Sequence, residues 1–167
     1  MRSLSMLRLA ARAPRRSGPV TSTLGRTNQV RRESMSTAPA QVIALRPEHE
    51  VMTLQKLPYF VGISGSTVGA SGLSMHVVVI PPGAKADPHI HIGYETGIYV
   101  LEGRVLTRWG DNLEHEVISE AGDFLFVPPG VPHEALNLSS QSPARAIIAR
   151  NDPAEQDKVV PFQPSAA

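Results

Sequence analysis

The sequence predicts an all-β domain, a sandwich or barrel of short antiparallel strands. Strand-prone runs of about 5–7 residues recur between residues 71 and 150, each followed by a turn signal. No convincing amphipathic helix can be drawn through the same stretch. The 167 residues include 15 prolines and 13 glycines, which suit a chain that turns often and build poor helices.

The elements follow in order. Residues 42–45 are a short apolar run that reads as an edge strand, and residues 53–61 hold another short element. "GISGSTVGASG" reads as a Gly/Ser loop. "LSMHVVVIPPG" is a strand of β-branched residues stopped by Pro81, Pro82 and Gly83. "ADPHIHIGYETG" is irregular. "IYVLEGRVLTRWGDNLEHEVIS" gives three strands, with turns at Glu102-Gly103 and at Gly110-Asp111-Asn112. "AGDFLFVPPGVPHEALNL" gives a turn, a strand, a Pro/Gly turn and a further strand. "ARAIIAR" is another strand, and residues 159–162 form a short β-prone patch. The resulting division is 1–34 basic segment, 35–69 N-terminal strands and loop, 70–152 barrel, and 153–167 tail.

Composition excludes several classes. The chain has no cysteine, so it has no disulfide framework, no thiolate metal site and no thiol nucleophile. No run approaches the roughly 20 apolar residues of a membrane-spanning helix. Residues 1–34 contain eight arginines and one acid, Glu33. From Met35 onward there are eight basic and fourteen acidic residues, a net charge of −6. The basic segment lacks aromatics and any groove-reading pattern, so no nucleic-acid partner is expected. Its Arg/Ser/Thr-rich, acid-poor text has two main readings, beside that of a disordered functional tail. It is an upstream frame before a bacterial start at Met35, where Arg32-Glu33 is codable as a ribosome-binding sequence, and the protein is cytoplasmic. Alternatively, it is a mitochondrial transit peptide. The first is favoured.

The chemistry concentrates in three histidines. His89 and His91 stand at i and i+2, which puts both side chains on one face of a strand. Glu95 follows four residues later, and His133 follows a Pro-Pro-Gly-Val-Pro turn. Three imidazoles and a carboxylate suit Fe, Mn, Ni, Cu, Co or Zn, and they leave positions open for water or substrate.

Two motifs frame these residues. Gly83-x5-His89-x-His91-x3-Glu95 with Gly103, and Gly122-x5-Pro128-x-Gly130-x2-His133-x3-Asn137, lie 18 residues apart. They resemble the two motifs of the cupin superfamily, across about residues 70–150. The wording is further similar to the small single-domain RmlC-like cupins, some of them labelled mannose-6-phosphate-isomerase-like. The resemblance implies a cupin jelly-roll β-barrel with a metal at its wider end, and a homodimer. It implies His89, His91, Glu95 and His133 as the metal ligands. One departure stands out. The usual first motif has six residues between its Glu and its closing Gly; this chain has seven, residues 96–102. Counted back from Gly103, the ligand slot falls on Thr96. Either a bulge at Thr96-Gly97 returns Glu95 to the metal, or the site has three histidines and water. The bulge is the favoured reading.

Tyr94, Tyr99, Phe126 and Asn137 are candidates for the substrate pocket. His76 reads as a strand-surface histidine. Arg104 and Arg108, in phase on one strand, read as a solvated face that can alternatively bind an anion. Such a metal site serves a dioxygenase, an isomerase or a hydrolytic enzyme. A dioxygenase needs a mostly apolar pocket. An isomerase needs a separate general base, for which Glu95 (if unbound), His76 or Tyr94 are the candidates. The expectation is a metal-dependent enzyme, an oxidoreductase more than an isomerase, acting on a small oxygen-rich molecule. The alternatives are a non-catalytic ligand-binding cupin and an auxiliary subunit.

Overall fold

The computed structural model describes residues 41–165. The expectations for residues 1–34 lie outside the described residues. Eleven strands run in chain order: β1 Glu50–Met52, β2 Pro58–Ile63, β3 Ser74–Ile80, β4 His89–His91, β5 Thr96–Glu102, β6 Arg104–Trp109, β7 His115–Glu120, β8 Phe124–Val127, β9 His133–Asn137, β10 Ala144–Arg150 and β11 Val159–Pro161. They form two antiparallel sheets. One has the order β1-β2-β3-β10-β5-β8 and the other β11-β4-β9-β6-β7. The two sheets do not close into a continuous hydrogen-bonded barrel, and the arrangement is the double-stranded β-helix of a jelly roll.

The core lies between the sheets. Alternate residues of β2, β3 and β10 (Leu57 just ahead of β2, Tyr59, Val78, Ile80, Ala144, Ala146, Ile148) meet Val105 of β6 and Ala86. Period-2 alternation explains the choice: β3 reads buried at Ser74, His76, Val78 and Ile80, and β10 at Ala144, Ala146, Ile148 and Arg150. Burying each aliphatic side chain is worth about 1.5–3 kcal/mol.

Two positions carry the chain where no side chain fits. At Gly103, between β5 and β6, the chain crosses from one sheet to the other with φ +88°. A Cβ at Gly103 would lie 2.7 Å from Ala144 Cβ. Gly62 is the extra residue of a bulge where β2 pairs with β3. Val61 opposes His76 and Ile63 opposes Met75, and a Cβ on Gly62 would meet the Met75 carbonyl oxygen at 2.5 Å.

Three local expectations change. Residues 42–45 form no strand; Val42, Ile43 and Leu45 are exposed, and no strand among the described residues pairs with them. The Gly/Ser stretch holds a single helical turn, α1 Gly65–Val68. The Ser64 side chain accepts from Thr67 N–H, and Gly69 closes the turn in the left-handed region. The irregular "ADPHIHIG" contains β4, a three-residue strand held between β11 and β9.

Candidate metal centre

β4 and β9 pair at one residue couple, His89 opposite His133. That couple and the i, i+2 spacing of His89 and His91 bring three imidazoles together. Ring centroids lie 4.3 Å apart for His89 and His133, 4.7 Å for His91 and His133, and 5.0 Å for His89 and His91. Each offers a nitrogen within 4.8 Å of the others, and all three residues are buried. Gly130 N–H donates to the His91 carbonyl at 2.8 Å, which ties the Pro/Gly turn before His133 to β4.

The surroundings fix which nitrogen faces the centre. His89 Nδ1 lies 2.8 Å from the Asp87 carbonyl oxygen and His133 Nδ1 lies 2.9 Å from that of Val131. A carbonyl only accepts, so both Nδ1 atoms carry the proton and both Nε2 lone pairs are left for the centre. His91 Nδ1 lies 2.9 Å from Thr96 Oγ1, which can donate or accept. His91 Nε2 is buried with no hydrogen-bond partner. An orphaned nitrogen among two oriented lone pairs is the environment that a cation with three imidazole ligands satisfies. Burial pushes the His89 pKa down to about 3, helped by the neighbouring His133 and Arg150. His91 is driven down by burial and then by Arg150, and His133 by burial with a smaller contribution from Arg150. All three stay neutral at pH 7, the form that ligates.

Glu95 is not brought to this centre. It is exposed. Its backbone N–H donates to Asn151 Oδ1 at 2.9 Å, and Asn151 Nδ2 donates back to its carboxylate at 3.4 Å. The reason is the position of the extra residue. The β5–β10 register slips between Arg145, paired with Glu102, and Ala146, paired with Val100, so Leu101 is the residue without an opposite number. The bulge sits at the far end of β5 from the place expected for it. Upstream of it β5 is regular, and Thr96, Ile98 and Val100 point inward. Thr96, not Glu95, occupies the inward slot.

The other candidates scatter. Tyr94 is buried and stacks on His91 at 5.0 Å between centroids, but it does not line the cavity in front of the imidazoles. Tyr99 lies on the outer face of its sheet against Phe124, at 4.7 Å. Phe126 is exposed. It borders an apolar groove of about 320 Å³ with Trp109, Pro128 and Val131, and that groove shares His133 and Thr107 with the interior cavity. Asn137 holds a turn, its amide donating to the carbonyls of Ile80, Pro81 and Ser142. His76 is buried, not on the surface. It keeps the inward phase of β3, beyond Tyr59, and its Nδ1 accepts from Gly62 N–H at 3.2 Å. Arg104 and Arg108 pair across the strands with Glu120 and Glu116.

The interior cavity, of about 60 Å³, is mostly aliphatic: Val78, Ile80, Ile98, Val105, Ile148 and others. Its polar wall was missed in the sequence. Arg150, Tyr59 and Gln55 join the imidazoles and Thr96 there. The signal for Arg150 was available: in "ARAIIAR" it shares phase with Ala144, Ala146 and Ile148, all inward.

Residues 76–149 match the family model described as the cupin domain. The match runs from β3 to β10 and takes in all three histidines, so this part of the chain is a cupin domain. Among curated proteins, it is 34% identical over 88 residues to germin-like protein subfamily T member 3 of Arabidopsis thaliana, covering 50% of this chain and 38% of that one. An uncharacterised protein of Methanocaldococcus jannaschii is 36% identical over 67 residues, 40% of this chain and 51% of that one. The chain thus spans about half or less of the curated relatives it matches. Among solved structures, the Lactobacillus farciminis oxalate decarboxylase formate complex superposes with a TM-score of 0.57 at 17% identity, covering 67% of this chain and 32% of that one. A recombinant oxalate oxidase in complex with glycolate superposes at 0.55 and 21% identity, covering 66% and 56%. At these identities the likeness is one of fold.

Proposed function

We propose that this protein is a metal-dependent cupin enzyme acting on a small oxygen-rich molecule, an oxidoreductase of dioxygenase type more than an isomerase. The observation that carries this reading is the convergence of the His89, His91 and His133 side chains, with the Nδ1 protons of two held on carbonyls and the Nε2 of the third buried without a partner. A divalent Fe, Mn, Ni, Cu, Co or Zn held there supplies Lewis acidity and, if redox-active, one-electron chemistry. The chain's own residues orient the imidazoles, keep them neutral and surround them with aliphatic walls that exclude bulk water. The oxidative reading is preferred because no aspartate or glutamate is among the described residues lining the cavity. Abstraction of a proton from substrate needs a base within hydrogen-bond reach. The same lack favours, as a second reading, a cupin that binds a small ligand without turning it over. The similar solved structures include enzymes acting on oxalate, which agrees with a small oxyacid as substrate.

The test is metal content by mass spectrometry on the full chain, beside His91→Ala and Glu95→Ala. Close to one metal per chain is expected, lost in His91→Ala and kept in Glu95→Ala. Consumption of O2 with small oxyacids then separates the enzyme from the binding protein. Wild-type protein that takes up none of these metals on reconstitution would remove the metalloenzyme reading.

A further inference from the structure

Gln55 precedes β2 and is 2% exposed. Its backbone carbonyl accepts from Asp87 N–H at 3.0 Å, and Lys56 beside it pairs with the Asp87 carboxylate at 2.7 Å. These contacts tie the turn before β2 to the segment that leads into β4. Gln55 lines the same interior cavity as the three imidazoles. A long neutral polar side chain is a costly choice there, because the cavity is otherwise mostly aliphatic.

One end of its amide has a partner. Gln55 Nε2 lies 2.9 Å from Tyr59 Oη, which also accepts from Arg150 Nη2–H at 3.2 Å. The other end, Oε1, is buried without a hydrogen-bond partner. A half-turn exchanges the nitrogen and the oxygen of an amide, and the hydrogen bonds around it decide between the two settings. With Nε2 toward the phenol, Tyr59 receives two N–H groups and its own proton has no acceptor among the described residues. With Oε1 toward the phenol, Arg150 donates to Tyr59 and Tyr59 donates to Gln55, so the phenol proton gains an acceptor. The outer end is then an NH2 group that lacks an acceptor. In either setting one buried polar end is left over, which costs the folded chain about 1–3 kcal/mol.

Two further neutral groups share the chamber. Thr107 of β6 and Ser119 of β7 are buried and line it from the five-stranded sheet. Their hydroxyls can donate or accept. A wholly apolar ligand would leave the Gln55 amide unmatched, whereas an acceptor oxygen on the ligand satisfies it.

We propose that Gln55 selects the ligand of this chamber, its outer amide N–H donating to the carbonyl oxygen of a small hydroxy-carbonyl compound whose hydroxyl faces the imidazoles. This rests on the metal site proposed above. It narrows the substrate class to molecules of a few heavy atoms, the size a cavity of about 60 Å³ admits, with a carbonyl close to a second oxygen.

The experiment compares hydroxyacetone with methallyl alcohol, which has the same shape and hydroxyl but a methylene in place of the carbonyl oxygen. Both are titrated into the full chain, metal-free and loaded with Zn(II), and Zn(II) stoichiometry is measured separately. Affinity is read by calorimetry. The Gln55 side-chain amide is followed by its proton–nitrogen NMR signals, assigned through their loss in Gln55→Met. The wild type is expected to bind hydroxyacetone roughly tenfold tighter than methallyl alcohol, and hydroxyacetone alone to shift the Gln55 signals. Gln55→Met is expected to bind both probes equally while keeping one Zn(II) per chain. Should Gln55→Met fail to fold, Gln55→Glu takes its place, since it keeps an acceptor for Tyr59 and removes the outer N–H groups. A preference that survives the substitution would overturn the proposal, because chelation of the metal by both oxygens would then explain it. So would equal affinities in the wild type, no binding of either probe, or Gln55 signals that move alike with both. Loss of Zn(II) together with the preference would make Gln55 a support of the metal site and overturn it too. If the wild type binds no Zn(II), the metal reading fails, and the metal-free titrations still decide the role of Gln55. A preference for hydroxyacetone with shifted Gln55 signals upholds it, and equal binding overturns it.

Discussion

Thr96 Oγ1 lies 2.9 Å from His91 Nδ1, at the inward slot where the sequence motif had suggested a carboxylate. A hydroxyl there can accept the His91 Nδ1 proton and leave the Nε2 lone pair for a cation. Thr96→Val keeps the shape and removes the acceptor. Loss of such an orienting partner typically weakens metal binding by about 10–100-fold. Co(II) affinity of Thr96→Val, measured by competition with a chelator at pH 7, is expected to fall within that range, while Thr96→Ser stays near wild type. Unchanged affinity in Thr96→Val would show that the hydroxyl does not orient His91.

Acid should destabilise the metal-free protein through the same imidazoles. His89 has a folded pKa of about 3 against an ordinary 6.5, and His91 and His133 are lowered too. Between these values the unfolded chain binds protons that the folded chain refuses. Stability is therefore complete above about pH 6.5 and declines as the pH falls toward 3, by about 1.4 kcal/mol per pH unit for each such histidine. The melting temperature of the metal-free protein, followed from pH 7 to pH 4, is expected to drop steadily. His89→Gln should flatten the slope, and a flat wild-type profile would contradict the burial of neutral imidazoles.

The crossover at Gly103 is constrained twice. Its φ is +88°, and an added Cβ would stand 2.7 Å from Ala144 Cβ and 2.8 Å from Ala144 Cα. Gly103→Ala is expected to cost about 2–4 kcal/mol in urea unfolding, the sum of a left-handed backbone and a steric clash. In the double variant with Ala144→Gly the clash with Ala144 Cβ is relieved, while the 2.8 Å approach to the Cα of residue 144 and the backbone strain remain. Partial recovery is the expected outcome; full recovery would mean that the positive φ costs nothing.

Much of this architecture was legible in the chain because period-2 alternation and turn residues are local signals. The strands on both sides of Gly103 and the shared face of His89 and His91 follow from spacing, whereas the phase of "SMHVVVI" was misjudged, with His76 read as a surface residue although it is buried. What was not legible depends on register between distant strands. Nothing local says that the extra residue of β5 is absorbed at Leu101 and not at Gly97. That choice is made by pairing with β10, some 45 residues away, and it decides whether Glu95 or Thr96 faces inward. Residues 42–45 looked like a strand because apolar composition alone cannot report the lack of a pairing partner. Arg150 was passed over because a charged residue at a strand end reads as solvent-facing until the phase of its neighbours is followed through.

The outer face of the six-stranded sheet points to self-association. Phe124 is 83% exposed and Phe126 is 58% exposed, on β8 at the sheet's edge, opposite Tyr99 and Gly97 of β5. Leu101 and Met75 are also exposed on strands of this sheet. Adjacent exposed aromatics on an edge strand invite a second chain, which is how the expected homodimer would cover them. Burying a phenylalanine is worth about 1.5–3 kcal/mol, and a two-fold interface counts each ring twice. Replacing Phe124 and Phe126 by glutamate puts like charges across the symmetry axis. Sedimentation of the wild type at micromolar concentration is expected to give a dimer and the double variant a monomer with unchanged circular dichroism and Co(II) binding. A dimer that persists in the variant would move the interface elsewhere, and a monomeric wild type would leave these two rings as solvent-exposed members of a single-chain fold.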